Sequence, residues 1–301
     1  MFHPTKKIIS KLFDKFNINS SYYLFNNSNL VTYNLFSSFY KKNIAKKEFL
    51  NEQIRNSYGK IGVANEDEIN SINKNLLTQL QEIHEKKQSH FKFEIDDAIK
   101  QNIKNIINKD LKQFLTNLEN YYNVRICLGQ SMIQRNFPIN KNIEAYSNNY
   151  HCDKYTYNLF KIFINLHDVS SQHGPLHLVK KEKAREFIKK SNYKSRNSYN
   201  DENINTSHIY INSGKKNDIF FCNTTEVLHK AGIPSEGNYR DMLFLVFFAI
   251  PKKITNQNFF YLEDCGHDIY DDDLLTRKFA KPEGLRGIYK LYNEFRNSKI
   301  Q

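Results

Sequence analysis

At 301 residues, with 40% hydrophobic and 14% aromatic content, the chain can bury one full-sized core and is too apolar for a disordered protein. Its four cysteines, Cys127, Cys152, Cys222 and Cys265, stand apart without a CxxC pair. That argues against a disulfide framework or a structural zinc knuckle and suits a reducing cytoplasm. The formal net charge of +12 is carried mostly by lysines spread along the chain, which reads as a solvated surface and not as a nucleic-acid groove.

No apolar run approaches the roughly 20 residues needed to cross a bilayer. Residues 1–16 mix lysines with Asp14, unlike a secretory signal. The first 60 residues, rich in Asn, Ser, Lys and aromatics, are expected to wrap irregularly on the core. A short strand is expected near Ile61–Ala64. Asn65 is a good N-cap, with Glu66 and Glu68 in the first turn of a helix reaching about Ile83. A second helix is predicted from about Asp96 to Tyr121, its buried stripe formed by Ile99, Ile103, Ile106, Ile107, Leu111, Phe114, Leu115 and Leu118.

After Tyr122 the period changes from helical to strand-like. Strands are predicted at Val124–Leu128, Ser131–Gln134, Leu159–Leu166, Pro175–Val179, His208–Asn212, Asp218–Cys222, Glu226–Ala231 and Met242–Ile250. Eight short strands behind a helical layer imply a mostly β fold with flanking helices (α+β), a double-sheet jelly roll. Lys180–Asn203 reads as a charged helix and loop that could act as a lid. Three regions are expected: 1–60 as the N-terminal wrap, 61–255 as the jelly-roll domain with its helical layer, and 256–301 as a helical C-terminal extension.

The chemistry concentrates in His151-Cys152-Asp153, His229 and Arg240. Two imidazoles and one carboxylate that leave coordination positions open are the ligand set of non-heme Fe(II) oxygenases. An arginine on the strand after the second histidine can hold an acidic co-substrate by a bidentate contact. Cys152, in the middle of its triplet, should point away from such a site. Lys161, Phe163 and Asn165 share one side of their strand; Lys161 is a candidate for a second carboxylate contact, and Gln134 and Arg135 are further pocket candidates. His167, His173 and His177 look like a second cluster but read more simply as loop and strand-end residues.

The segments His151-Cys-Asp153, Lys161-Ile-Phe-Ile-Asn-Leu-His-Asp-Val169, Gly174-Pro-Leu176, Asp218-Ile-Phe-Phe-Cys-Asn223, Leu228-His-Lys-Ala-Gly232 and Tyr239-Arg-Asp-Met-Leu243 together resemble the phytanoyl-CoA dioxygenase family. The resemblance covers roughly residues 124–250. It implies a double-stranded β-helix (cupin-like jelly roll) and an Fe(II)- and 2-oxoglutarate-dependent dioxygenase that uses O2 and hydroxylates a small organic molecule. It further implies His151, Asp153 and His229 as iron ligands and Arg240 as the anchor of the distal 2-oxoglutarate carboxylate. The sequence departs from the family at Ala231 and Met242, where hydroxyl side chains are common, and at Val179-Lys-Lys-Glu-Lys183, where a Gly-Ser-His ending is usual. Two other readings stay open: a non-catalytic jelly-roll binding protein that keeps these residues, and a nucleic-acid-directed oxygenase suggested only by charge.

Overall fold

The computed structural model describes residues 52–80, 89–122, 124–153, 159–193, 196, 198–224 and 226–251. The expected N-terminal wrap up to residue 51, the C-terminal extension, Cys265 and the end of the first long helix beyond Leu80 lie outside the described residues.

A short helix α1 (Glu52–Asn56) leads into β1 (Tyr58–Val63). The boundary expected at residue 60 therefore falls inside a strand. Asn65 caps α2 (Glu66–Gln79): its side-chain oxygen accepts from the backbone N–H groups of Asp67 and Glu68 at 2.9 and 3.3 Å, a cap of typically ~1 kcal/mol. After β2 (His90–Phe93), which the sequence did not signal, α3 (Asp97–Ile106) passes through a π-helical turn (Ile107–Leu111) into α4 (Lys112–Tyr122). The wider turn accommodates consecutive buried residues, Ile106 and Ile107, on one stripe with Leu111, Phe114, Leu115 and Leu118.

The remaining strands are β3 (Val124–Asn136), β4 (Leu159–Asn165), β5 (Leu176–Val179), β6 (Ile209–Asn212), β7 (Asp218–Asn223), β8 (His229–Ala231) and β9 (Arg240–Pro251). They form two antiparallel sheets. The large one has the order β1-β7-β4-β9-β3-β2 and the small one β6-β5-β8. This is a double-sheet jelly roll with α1–α4 packed on the large sheet. Helix α5 (Ala184–Lys190) lies in the insertion between β5 and β6.

Strand alternation sorts side chains to the two faces of the large sheet. Phe160, Ile162 and Ile164 of β4 and Leu243, Leu245 and Phe247 of β9 join the main core with the helix stripe. Lys161, Phe163, Met242, Phe244 and Val246, one residue out of phase, line the space between the sheets. Strand β3 changes phase midway. The sequence suggests two strands here; the structure has one, with a register shift between Leu128 and Gln130. Before the shift, even-numbered Ile126 and Leu128 belong to the core; after it, odd-numbered Ile133 does. The extra residue turns Gln130, Met132, Gln134 and Asn136 toward the inter-sheet space.

Candidate metal and co-substrate site

His151 and His229 are brought together by a two-way backbone bridge. The His151 N–H donates to the His229 carbonyl at 3.0 Å and the His229 N–H donates back at 2.9 Å. The ring centroids are 4.3 Å apart. Asp153 is fixed by its own N–H, which donates to the Thr224 carbonyl at 2.8 Å. Each imidazole uses Nδ1 on a backbone carbonyl, His151 on Asn149 at 2.8 Å and His229 on Val227 at 2.9 Å. A carbonyl can only accept, so both Nδ1 atoms carry a proton and Nε2 is the nitrogen each ring has left for a ligand contact.

The ligand atoms offered by His151, Asp153 and His229 lie within 4.8 Å of one another, and among the described residues no other group of three His, Cys, Asp or Glu side chains does so. Asp153 Oδ1 is 3.6 Å from His151 Nε2, and its Oδ2 is 2.7 Å from Lys161 Nζ. Burial pushes the Asp153 carboxyl up, but Lys161 and the two imidazoles outweigh it and hold it well below the usual carboxylate range. Burial, reinforced by His151, pushes His229 down to about 3, so its imidazole is neutral at working pH. Two imidazoles anchored through Nδ1 and an ionised carboxylate are a donor set that suits a divalent first-row metal, and the residues fit Fe(II).

The site opens on a cavity of about 200 Å³ between the sheets. Arg240 lies at its wall, 2% exposed. One guanidinium nitrogen, Nη1, donates to the Gly174 carbonyl, while Nε is buried without a partner. Burial lowers Arg240 to about 10, which leaves it cationic at neutral pH. A buried guanidinium at the wall of a cavity, with Nε unpaired, suits a carboxylate. The neighbouring carboxylate of Asp241 is taken by Arg135, at 2.7 and 2.6 Å.

Lys161 lines the cavity as its strand phase predicts, and so does Gln134. Arg135 does not; it points to the opposite face and stacks on Tyr239, 3.8 Å from the ring centroid. Cys152 points away from the two histidines into the cluster of Tyr150, Val179, Phe187 and Leu228, and burial raises its thiol. His167 and His173 pack ring to ring at 5.1 Å. His167 Nε2 accepts the Asp241 N–H and His173 Nδ1 the Ser170 N–H, so these are hairpin-fastening residues.

Helix α5 buries Ala184, Phe187 and Ile188 in the cluster that also holds Cys152. None of the described residues between 180 and 203 lines the cavity, so the described part of the segment gives no support to the expected lid. Tyr146 and Ser147 line the cavity instead, both with positive φ (34° and 64°). Asn148 braces them, accepting from the Ala145 N–H and donating to the Ile143 carbonyl. Tyr146 and Ser147 belong to Asn140–Tyr150, a segment that sequence reasoning favours for substrate contact, whereas Gln130, Asn136 and Phe244 are cavity residues the sequence did not mark. Phe244 was accessible by counting in twos from Arg240; Gln130 and Asn136 were hidden by the phase change in β3.

No protein-family model matches the chain, and no curated protein matches it either. Among solved structures, HygX from Streptomyces hygroscopicus with nickel and 2-oxoglutarate bound is 14% identical, with a TM-score of 0.46 over 66% of this chain and 87% of that one. AviO1 from Streptomyces viridochromogenes Tue57 is 12% identical, with a TM-score of 0.44 over 67% and 93%. The non-heme alpha ketoglutarate dependent epimerase SnoN from nogalamycin biosynthesis is 11% identical, with a TM-score of 0.42 over 65% and 79%. No helix among the described residues is long and apolar enough to cross a membrane.

Proposed function

We propose that the chain is an Fe(II)- and 2-oxoglutarate-dependent dioxygenase that hydroxylates a small organic molecule, releasing succinate and CO2. The supporting observation is one constellation: two Nδ1-anchored imidazoles on the cavity wall, an ionised carboxylate within 4.8 Å of their ligand atoms, and a buried arginine on the same wall. His151, Asp153 and His229 would hold Fe(II), which when bound supplies the one-electron chemistry that couples O2 to oxidation of 2-oxoglutarate and of a C–H bond.

The chain's own residues bind, orient and exclude water. The Asn149 and Val227 carbonyls fix which imidazole nitrogen faces the cavity. Gly174 orients Arg240, whose remaining donors hold the distal carboxylate of 2-oxoglutarate. Phe163, Phe244, Leu176 and Met132 form an apolar wall, while Gln130, Gln134 and Asn136 add neutral amides able to position a substrate. Ala231 and Met242 line the same cavity without hydroxyls, so the polar contacts to a bound carboxylate come from elsewhere than in the family pattern.

The test is an anaerobic titration with Fe(II) and 2-oxoglutarate, following the visible metal-to-ligand charge-transfer band. Wild type should develop the band and folded His229→Ala should not. A folded wild type without the band would overturn the proposal and favour a non-catalytic binding module.

A further inference from the structure

The two oxygens of Asp153 face different partners. Oδ1 is turned toward His151 Nε2 at 3.6 Å, whereas Oδ2 meets the ammonium of Lys161 at 2.7 Å. Lys161 cannot drift from this position easily. It is anchored on β4 between Cys222 of β7 and Val246 of β9, and its side chain is 23% exposed. Among the described residues that line the cavity there are two cations, Lys161 and Arg240, and no aspartate or glutamate.

This arrangement has opposite effects on two charged ligands. A divalent metal held by two neutral imidazoles relies on Asp153 for its anionic donor. An ammonium on the same carboxylate drains that donor's charge and repels the metal as well. In a partly desolvated cleft both effects are stronger than in water. A dicarboxylate arriving at the metal feels the reverse: Lys161 and Arg240 both attract it, and its charge offsets the repulsion between ammonium and metal.

Resting on the metal and co-substrate reading above, we propose that Lys161 makes the metal and the dicarboxylate bind as a cooperative pair, holding back the metal alone and admitting it together with the anion. This differs from the role expected from sequence, a contact to the co-substrate alone, which would leave metal affinity in the absence of 2-oxoglutarate unchanged. It differs also from a packing role, which would not improve metal binding when the lysine is removed. Because the coupling is a free energy shared by both sites, the factor by which 2-oxoglutarate tightens the metal equals the factor by which the metal tightens 2-oxoglutarate.

The experiment is calorimetric titration of Co(II), with and without saturating 2-oxoglutarate, into wild type, Lys161→Met and Lys161→Arg, each checked for folding by thermal melt. Lys161→Met should bind Co(II) alone about tenfold more tightly than wild type, and its enhancement by 2-oxoglutarate should be about tenfold smaller, within the usual range of coupling factors. Lys161→Arg, which keeps the charge, should behave as wild type. If the methionine variant fails to fold, Lys161→Gln carries the same expectation. Co(II) affinity in the neutral variant equal to or weaker than wild type would overturn the inference alone, as would an arginine variant that matches the methionine one. A folded wild type that binds no Co(II) would overturn it together with the function proposed above.

Discussion

At the scale of single residues, the site depends on what each side chain's second contact does. Arg240 illustrates this. Its Nη1 is spent on the Gly174 carbonyl, which fixes the plane of the guanidinium and leaves Nε buried and unpaired. Such an orphaned donor typically costs 1–3 kcal/mol, and a carboxylate in the cavity would recover it. Lysine offers one point charge and no fork. Arg240→Lys should therefore weaken 2-oxoglutarate binding to the metal-loaded protein by roughly 10- to 100-fold, about 1.4–2.8 kcal/mol, with metal affinity in its absence unchanged. Binding of 2-oxoglutarate to the Co(II) form measures it; unaltered binding would remove Arg240 from the co-substrate site. The four residues with the strongest chemistry, His151, Asp153, His229 and Arg240, were legible in the sequence because their donor types are scarce in combination. Within 140–150, which side chains reach the cavity was not legible, since the place of Tyr146 and Ser147 follows from two successive left-handed backbone conformations that nothing in Tyr-Ser predicts.

At the scale of elements, strand phase decides which side chains reach the chemistry. In β4 and β9 the alternation is unbroken, so the sequence gives the faces directly: Lys161 and Phe163 inward, Ile162 and Ile164 toward the helices. In β3 the phase reverses between Leu128 and Gln130. Periodicity alone splits that strand in two and cannot assign a face to the second part. Removing Gly129 tests this assignment. Leu128 pairs with Phe247 and Gln130 with the adjacent Val246, so without Gly129 the ladder closes regularly: Gln130, Gln134 and Asn136 keep the cavity face and Ile133 keeps the helix side. The deletion should therefore still melt cooperatively, close to wild type. Ile133→Asn instead puts an amide without a partner in the helix-side core, where Ile133 is fully buried, and should cost about 2–5 kcal/mol, roughly 5–15 °C in Tm. A deletion variant without a cooperative transition would mean that Gly129 is not the extra residue of the strand.

At the scale of the whole molecule, burial shifts titratable groups on both sheets and in the clusters packed on them, and these confine the fold's stability in pH. Burial, then Lys230 and Arg240, lowers His177 from 6.5 to about 4, and burial lowers His229 to about 3. For a group with a depressed folded pKa, the unfolded chain binds more protons once the pH falls below 6.5. The stabilisation is complete above 6.5 and lost progressively on acidification; the depressed Asp153 carboxyl adds to this loss at lower pH. Buried tyrosines act at the other edge. Tyr58, Tyr146 and Tyr199 are raised by burial from 10.0 to about 12, so their contribution is complete below 10 and lost between 10 and 12 as the unfolded chain ionises first. Urea midpoints of the metal-free protein should thus form a plateau between about 6.5 and 10, with a fall on either side. His177→Gln isolates one contributor: it lies on the face of β5 opposite Leu176 and Leu178, away from the inter-sheet core, and its loss should flatten the acid limb between pH 6.5 and 4 while leaving the alkaline limb unchanged. An acid limb as steep as that of wild type would mean that His177 is solvated in the native state, and that His229 and Asp153 alone set the acid edge.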